Sequence, residues 1–286
     1  SILAITNPGD EIIILEPWYE NYVPMTQLAQ SKPRFVPLIE ESFNIDSEIL
    51  KSSINTKTKA IILNSPHNPT GKVFSLKDLQ LISDLCTDHD ILVITDEIYE
   101  YIIYDSLKHK SIGSFDSMHD RTITISGFSK TFSITGWRIG YAAATKELMD
   151  GIRKVHDYLT VCAPSILQYA ILKAFTLGPS YFTQLIQRYQ TNRDYLHSQL
   201  ADLGMKAFKP QGAYYIFAEI SQFGMNDLEF SDYLVKDEGV AVVPGSSFFN
   251  SESLNGNPGS SYVRFSFSQK LETLKTAVDN MKKKIF

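Results

Sequence analysis

Residues 122–144 read TITISGFSKTFSITGWRIGYAAA. The two ends of this stretch, TITIS and RIGYAAA, read as strands. Between them lies Lys130, among Phe128, Phe132, Ile134 and Trp137, and Arg138 follows, flanked by Trp137 and Ile139. A lysine amine taken out of water loses hydration, and its pKa falls. That is a cost in a core and an advantage in a nucleophile. The surrounding chain decides which applies.

Working outward, ILVITDE (91–97) and TKAIILNSP (58–66) are continuous apolar runs ending at polar turns. That is the pattern of strands buried on both faces. DEIIILEP reads as a strand stopped at Pro17, and SKPRFVPL (31–38) as another. SLKDLQLISDLCTDHD shows apolar residues at helical spacing, with Ser75 as its N-cap. Strands alternating with helices predict an α/β fold, a mainly parallel sheet with flanking helices. This large domain is expected over residues 1–160. Residues 161–286 read as a connecting helix and a smaller C-terminal α+β domain. There, PSYFTQLIQRYQTNRDYLHSQLADLG is a long helix ended by Gly204, DLEFSDYLVKDEG a second helix, and GAYYIFAEI and YVRFSFS are strands. NSESLNGNPGSS (250–261) reads as a surface loop.

Bulk properties narrow the function. The 286 residues are 43% hydrophobic and 21% charged, with a net charge of −5, and the pI is about 5.7. Basic clustering is limited to Lys282–Lys284, which argues against nucleic acid or an anionic membrane as the main partner. No apolar run approaches the length of a membrane span. The two cysteines form no CxxC, and the six histidines no HExxH, so a reducing cytoplasm is expected and no metal site is. The chain begins SILAITNPGD, read as the tail of a helix before a Pro-Gly turn, and something is expected to precede Ser1.

In open α/β sheets, ligands gather at the carboxyl ends of the strands. Three groups fall there. Asn64 ends one strand and is followed by Asn68, held between two prolines; a plain turn is the competing reading. Asp96 and Glu97 end the next strand, with Tyr99 beyond. An acid here suits a magnesium-dependent nucleotide hydrolase, but the required GxxxxGK[ST] is absent, and helix capping by Asp96 is the plain alternative. The third group is Lys130 with Arg138, which taken singly read as a snorkelling lysine and an ordinary ion-pair arginine. Together they describe one chemistry. A lysine amine forms a Schiff base with an aldehyde, an acid pairs with a protonated pyridine nitrogen, and an arginine with a hydroxyl holds a phosphate. That set fits pyridoxal 5'-phosphate (PLP).

NPGDEIIILEPWYENY, NSPHNPTGKVFS, ITDEIYEYIIYD, SGFSKTFSITGWRIGYAAAT, QGAYYIF, GVAVVPGSSF and YVRFSFS together make the chain resemble the class I/II aminotransferases, PLP enzymes of fold type I, from end to end. The resemblance implies a role for each matching residue. Lys130 would carry the cofactor aldehyde and move the substrate proton, and Asp96 would keep the pyridine nitrogen protonated. Tyr99 and Asn68 would donate to the ring O3', and Asn68 would also touch the substrate carboxylate. Tyr19, rather than its neighbour Trp18, would stack on the cofactor. Arg138 and Ser129 would bind the phosphate, although the family's usual serine position three residues before the lysine is Gly127 here. Arg264 alternates onto one face with Tyr262, Ser266 and Ser268; strand pattern alone makes it an exposed arginine, and the resemblance makes it the clamp on the substrate α-carboxylate.

The implied reaction is exchange of an amino group between an amino acid and a 2-oxo acid by a cytoplasmic homodimer. Aspartate, aromatic, methionine and glutamine or kynurenine-type donors stay open. So do a PLP-dependent C–S β-lyase, an aminocyclopropane-carboxylate synthase-like lyase, and an aminotransferase-like effector domain of a transcription regulator. In the family, a phosphate-binding turn and an N-terminal arm lie upstream of the helix whose tail starts this chain. The resemblance therefore implies weak PLP binding and little activity for the 286 residues as written.

Overall fold

The computed structural model describes residues 1–250 and 256–284. Six strands form the larger sheet: β1 (Glu11–Glu16), β2 (Lys32–Pro37), β3 (Thr58–Asn64), β4 (Leu92–Asp96), β5 (Thr122–Gly127) and β6 (Gly140–Ala143), in the order β2-β1-β3-β4-β5-β6. The pairings through β5 are parallel, and β6 runs antiparallel along the edge. Every strand expected in this half is present. RIGYAAA contributes only its centre, because Arg138 adopts a left-handed conformation (φ 54°) and breaks the extended run before Gly140.

The apolar runs are explained by two covered faces. Ile12 and Ile14 of β1 pack with Ile62, Ile94 and Ile123 on one side. Ile13 and Leu15 pack with Ile61, Leu63 and Val93 on the other. Alternate side chains of a strand point to opposite faces, so a strand buried on both must be apolar throughout. Ser75 caps the helix Leu76–Asp88 in a reciprocal box, its hydroxyl accepting from the Asp78 N–H (3.2 Å) while the Asp78 carboxylate accepts from the Ser75 N–H (2.9 Å).

The second half contains a four-stranded antiparallel sheet of β7 (Lys206–Ala207), β8 (Tyr215–Glu219), β9 (Val243–Pro244) and β10 (Tyr262–Ser266), in the order β7-β8-β10-β9. The two-residue strands β7 and β9 are too short to leave a periodic signal. The long helix spans Pro179–Asp202 and is followed by Gly204 at φ 83°. Its Arg193, fully buried, clamps Asp105 bidentately (2.7 and 2.9 Å) and donates to the Pro210 carbonyl (2.9 Å). The helix begun at Asp227 passes at Leu234 into a π-helical turn that ends at Gly239. A helix the residue pattern left unread, Leu271–Lys284, follows β10.

The loop expected over 250–261 needs correction at its far end. Residues 251–255 lie outside the described residues. Pro258–Ser261 forms a 3-10 turn whose Gly259 is buried, because its backbone packs directly on that of Gly245. The small sheet also shares a core with the first half: Tyr99, Ile102 and Tyr104 pack in one cluster with Leu196, Ile216 and Phe265. This packing sets β8 and β10 against the carboxyl ends of the larger sheet. Among the described residues, no helix is long and apolar enough to cross a membrane.

Candidate active site

The carboxyl ends of β3, β4 and β5, with the segment that follows β1, line one cavity of about 550 Å³. Its lining includes all eight side chains singled out in the sequence: Tyr19, Asn68, Asp96, Tyr99, Ser129, Lys130, Arg138 and Arg264. The parallel register explains the convergence. Asn64 pairs with Asp96 across β3 and β4, and Asp96 with Ile125 across β4 and β5. The loops leaving these strands must therefore emerge side by side, at the carboxyl edge of the sheet.

Lys130 is half-buried, but not among its sequence neighbours. Phe128 and Phe132 turn away into an aromatic cluster with Tyr141, Phe175 and Tyr181. The Lys130 amine instead stands over the rings of Tyr99 (5.9 Å) and Tyr214 (5.8 Å). Among the described residues it has no hydrogen bond and no salt bridge. Its pKa lies below the ordinary lysine value, first because burial strips water from it and then because Arg138 and Arg264 repel its charge, against the pull of Asp96.

Asp96 ends β4 facing the cavity. One carboxylate oxygen accepts from the Tyr22 hydroxyl (2.7 Å), the other from the Ile98 N–H (3.2 Å). Burial pushes its pKa above the ordinary value of 3.8; the Tyr22 and Ile98 hydrogen bonds pull it back. The residues after it form a turn rather than a helix, so Asp96 caps no helix. Its neighbour Glu97 is buried elsewhere, its carboxylate accepting from Ser111 (2.7 Å), Thr95 (3.0 Å) and the His109 ring (2.7 Å). Alternation along the strand thus separates two adjacent acids, one facing the cavity and one structural.

Asn68 is likewise fixed on both sides. Its N–H donates to the Asn64 side chain (2.8 Å), and its side-chain oxygen accepts from Arg264 (2.7 Å). Arg264 is half-buried, with its guanidinium between the rings of Tyr215 (4.3 Å) and Phe248 (4.7 Å). Tyr19 faces the cavity, whereas Trp18 is buried and stacked on Phe35 at 4.5 Å. Arg138 is exposed and donates to the Thr135 carbonyl (3.1 Å). The Ser129 hydroxyl has no hydrogen-bond partner among the described residues. Gly127 pairs with Gly140 across β5 and β6, and a Cβ there would sit 3.0 Å from Gly140 and from the Ile139 carbonyl, which leaves little room for a serine. Tyr22, Tyr214 and Tyr215 also belong to the site, and the sequence around them carries no local signal of contact with residues so far away in the chain.

The donor set suits PLP. An amine of lowered pKa, an oriented carboxylate, an amide, a phenol and an exposed guanidinium face one volume, and each has a counterpart on a phosphorylated pyridine aldehyde. Among the described residues, no group of three metal-ligating side chains exists.

Comparisons with known proteins agree. The family model "Aminotransferase class I and II" matches residues 1–281. An aspartate aminotransferase of Pyrococcus abyssi is 41% identical over 98% of the chain and 71% of its own length. An aromatic-amino-acid aminotransferase of Thermococcus litoralis is 39% identical over 96% of the chain and 70% of its own length. The crystal structure of an aromatic aminotransferase from Pyrococcus horikoshii superposes with a TM-score of 0.91 at 38% identity, covering 100% of this chain and 77% of that one. Coverage of this extent, over a fold and a cavity built as that chemistry requires, places the chain in the class I and II aminotransferase family, the PLP-dependent transferases of amino groups.

Proposed function

We propose that the chain exchanges an amino group between an amino acid and a 2-oxo acid at this cavity, with Lys130 as the catalytic residue. The observation that carries the reading is the Lys130 amine, which among the described residues lacks a hydrogen-bond or salt-bridge partner and has a lowered pKa in the same cavity as Asp96 and Arg264. When bound, PLP supplies an aldehyde and an electron-withdrawing pyridinium that stabilises negative charge at the substrate α-carbon.

The residues do the rest. A lowered pKa leaves more of the Lys130 amine neutral, the form that would hold the aldehyde covalently and, when not so held, would carry a proton to and from the substrate α-carbon. Asp96, oriented by Tyr22, keeps the pyridine nitrogen protonated. Tyr99 and the Asn68 amide donate to the ring oxygen O3'; the Asn68 side-chain oxygen is already engaged by Arg264, which leaves its NH2 to donate. Tyr19 supplies an aromatic face, and Arg138 with Ser129 takes the phosphate. Arg264 grips the substrate α-carboxylate.

The same reading makes residues 1–160 the large domain and 161–286 the connecting helix and small domain of a cytoplasmic homodimer. Exposed apolar side chains at Tyr158, Val161, Ile166, Tyr169 and Phe175 support pairing with a second copy, and the free thiols Cys86 and Cys162 support a reducing compartment. The names of the relatives make aspartate and the aromatic amino acids the first donors to test.

The test is covalent trapping. The protein and its Lys130→Ala variant are incubated with millimolar PLP, reduced with borohydride and mapped by peptide mass. Cofactor is expected at Lys130 in the unmodified protein and at no specific lysine in the variant. Specific trapping at another lysine in the variant would overturn the assignment.

A further inference from the structure

Tyr215 lines the cavity from β8, on the smaller sheet, and two of its contacts reach groups that face the cavity. Its hydroxyl lies 2.9 Å from that of Tyr99, which belongs to the turn after β4 on the larger sheet. Its ring lies 4.3 Å beneath the Arg264 guanidinium, which Phe248 covers on the other side. Cross-strand register explains the second contact: Tyr215 pairs with Ser266, so Arg264 is its diagonal neighbour, within reach of a long side chain.

The hydroxyl pair constrains proton direction. Each phenol carries one proton, and the Tyr99 ring is buried and held edge-on by Tyr214 (5.2 Å) and Tyr215 (5.9 Å). If Tyr99 donates into the cavity, Tyr215 must donate to Tyr99. The ring of Tyr215, meanwhile, fixes the plane of the Arg264 guanidinium and with it the direction of its donors.

We propose that Tyr215 is a positioning residue for transamination, ordering the Tyr99 phenol through its hydroxyl and the Arg264 guanidinium through its ring. The inference rests on the reading of Tyr99 and Arg264 as binding groups. It adds that a single side chain of the smaller sheet couples the cofactor end of the cavity to the carboxylate end.

The two functions separate by substitution. Tyr215→Phe removes only the hydroxyl; Tyr215→Leu removes the ring as well. Each is made beside Tyr99→Phe and the double variant Tyr99→Phe/Tyr215→Phe. Dissociation constants are measured for PLP, by fluorescence quenching of cofactor-free protein titrated to millimolar, and for succinate and 3-phenylpropionate, by calorimetry. Tyr215→Phe is expected to weaken PLP binding about three- to tenfold when Tyr99 is present. It should have no effect once Tyr99 is already Phe, and it should leave carboxylate affinity unchanged. Tyr215→Leu is expected to lower carboxylate affinity by about three- to tenfold. An equal effect of Tyr215→Phe in both Tyr99 backgrounds, or none in either, would overturn the proposal. So would carboxylate binding that is indifferent to Leu. Tyr215→Phe keeps the ring and its packing, so the hydroxyl arm decides even where Tyr215→Leu loses its fold. If Tyr99→Phe alone leaves PLP affinity intact, the role given to Tyr99 is what fails, and the hydroxyl arm of the proposal fails with it.

Discussion

Removing the Tyr22 hydroxyl tests how the Asp96 carboxylate is held. Tyr22 is buried, and its hydroxyl donates to Asp96 Oδ2 at 2.7 Å. A hydrogen bond to a charged group contributes about 1.5–3 kcal/mol, and one between neutral groups about 0.5–1.5 kcal/mol. The coupling between Tyr22 and Asp96 should therefore depend on whether Asp96 is ionised. Burial raises the folded-state pKa of Asp96 above its ordinary 3.8, and the Tyr22 bond opposes that rise. A raised folded pKa means that this group's contribution to stability is fully present below the ordinary value and is lost as pH rises through the folded one. Tyr22→Phe raises the folded pKa further, so the loss extends to higher pH, whereas Asp96→Asn abolishes it. The assay is urea unfolding of the unmodified protein, Tyr22→Phe, Asp96→Asn and the double variant, between about pH 4 and about pH 8. The interaction energy from the cycle should be about 1.5–3 kcal/mol at the alkaline end and should fall to about 0.5–1.5 kcal/mol at the acid end. A coupling that stays flat with pH, or one near zero throughout, refutes the argument that Tyr22 stabilises an ionised Asp96.

Three further outcomes are expected. Asp96→Asn should lower kcat on the order of a hundredfold or more, because an amide cannot hold a pyridine nitrogen protonated; near-normal turnover in a steady-state assay would reduce Asp96 to a turn residue. Gly245→Ala should destabilise the fold by about 1–3 kcal/mol, because its Cβ would overlap the carbonyl oxygens of Gly259 and Tyr262. Gly136→Ala, whose Cβ would have nothing beyond its chain neighbours within 4 Å among the described residues, should stay within about 0.5 kcal/mol of the unmodified protein in the same urea titration.

Much of this architecture was legible from local pattern alone. Runs such as AIILN and ILVIT must be strands buried on both faces, and their alternation with helices forces a parallel sheet whose loops gather at one edge. That reasoning brought Asn68, Asp96 and Lys130 to one place, because strand ends are a matter of chain order and register. What a side chain touches once there is a different quantity. Trp18 and Tyr19 are equally aromatic in sequence, and only the packing of Trp18 on Phe35 leaves Tyr19 to the cavity. Lys130 sits among phenylalanines in sequence, yet the turn after β5 sends Phe128 and Phe132 to another cluster and lays the amine over two tyrosines. The Tyr22–Asp96 bond closes 74 residues of chain and the Tyr99–Tyr215 bond 116. A period of two or 3.6 residues reports which face a side chain occupies, and that is a local property of the backbone. The first contact exists only once the larger sheet has assembled, and the second only once both sheets have packed on a shared core, so tertiary structure alone decided them.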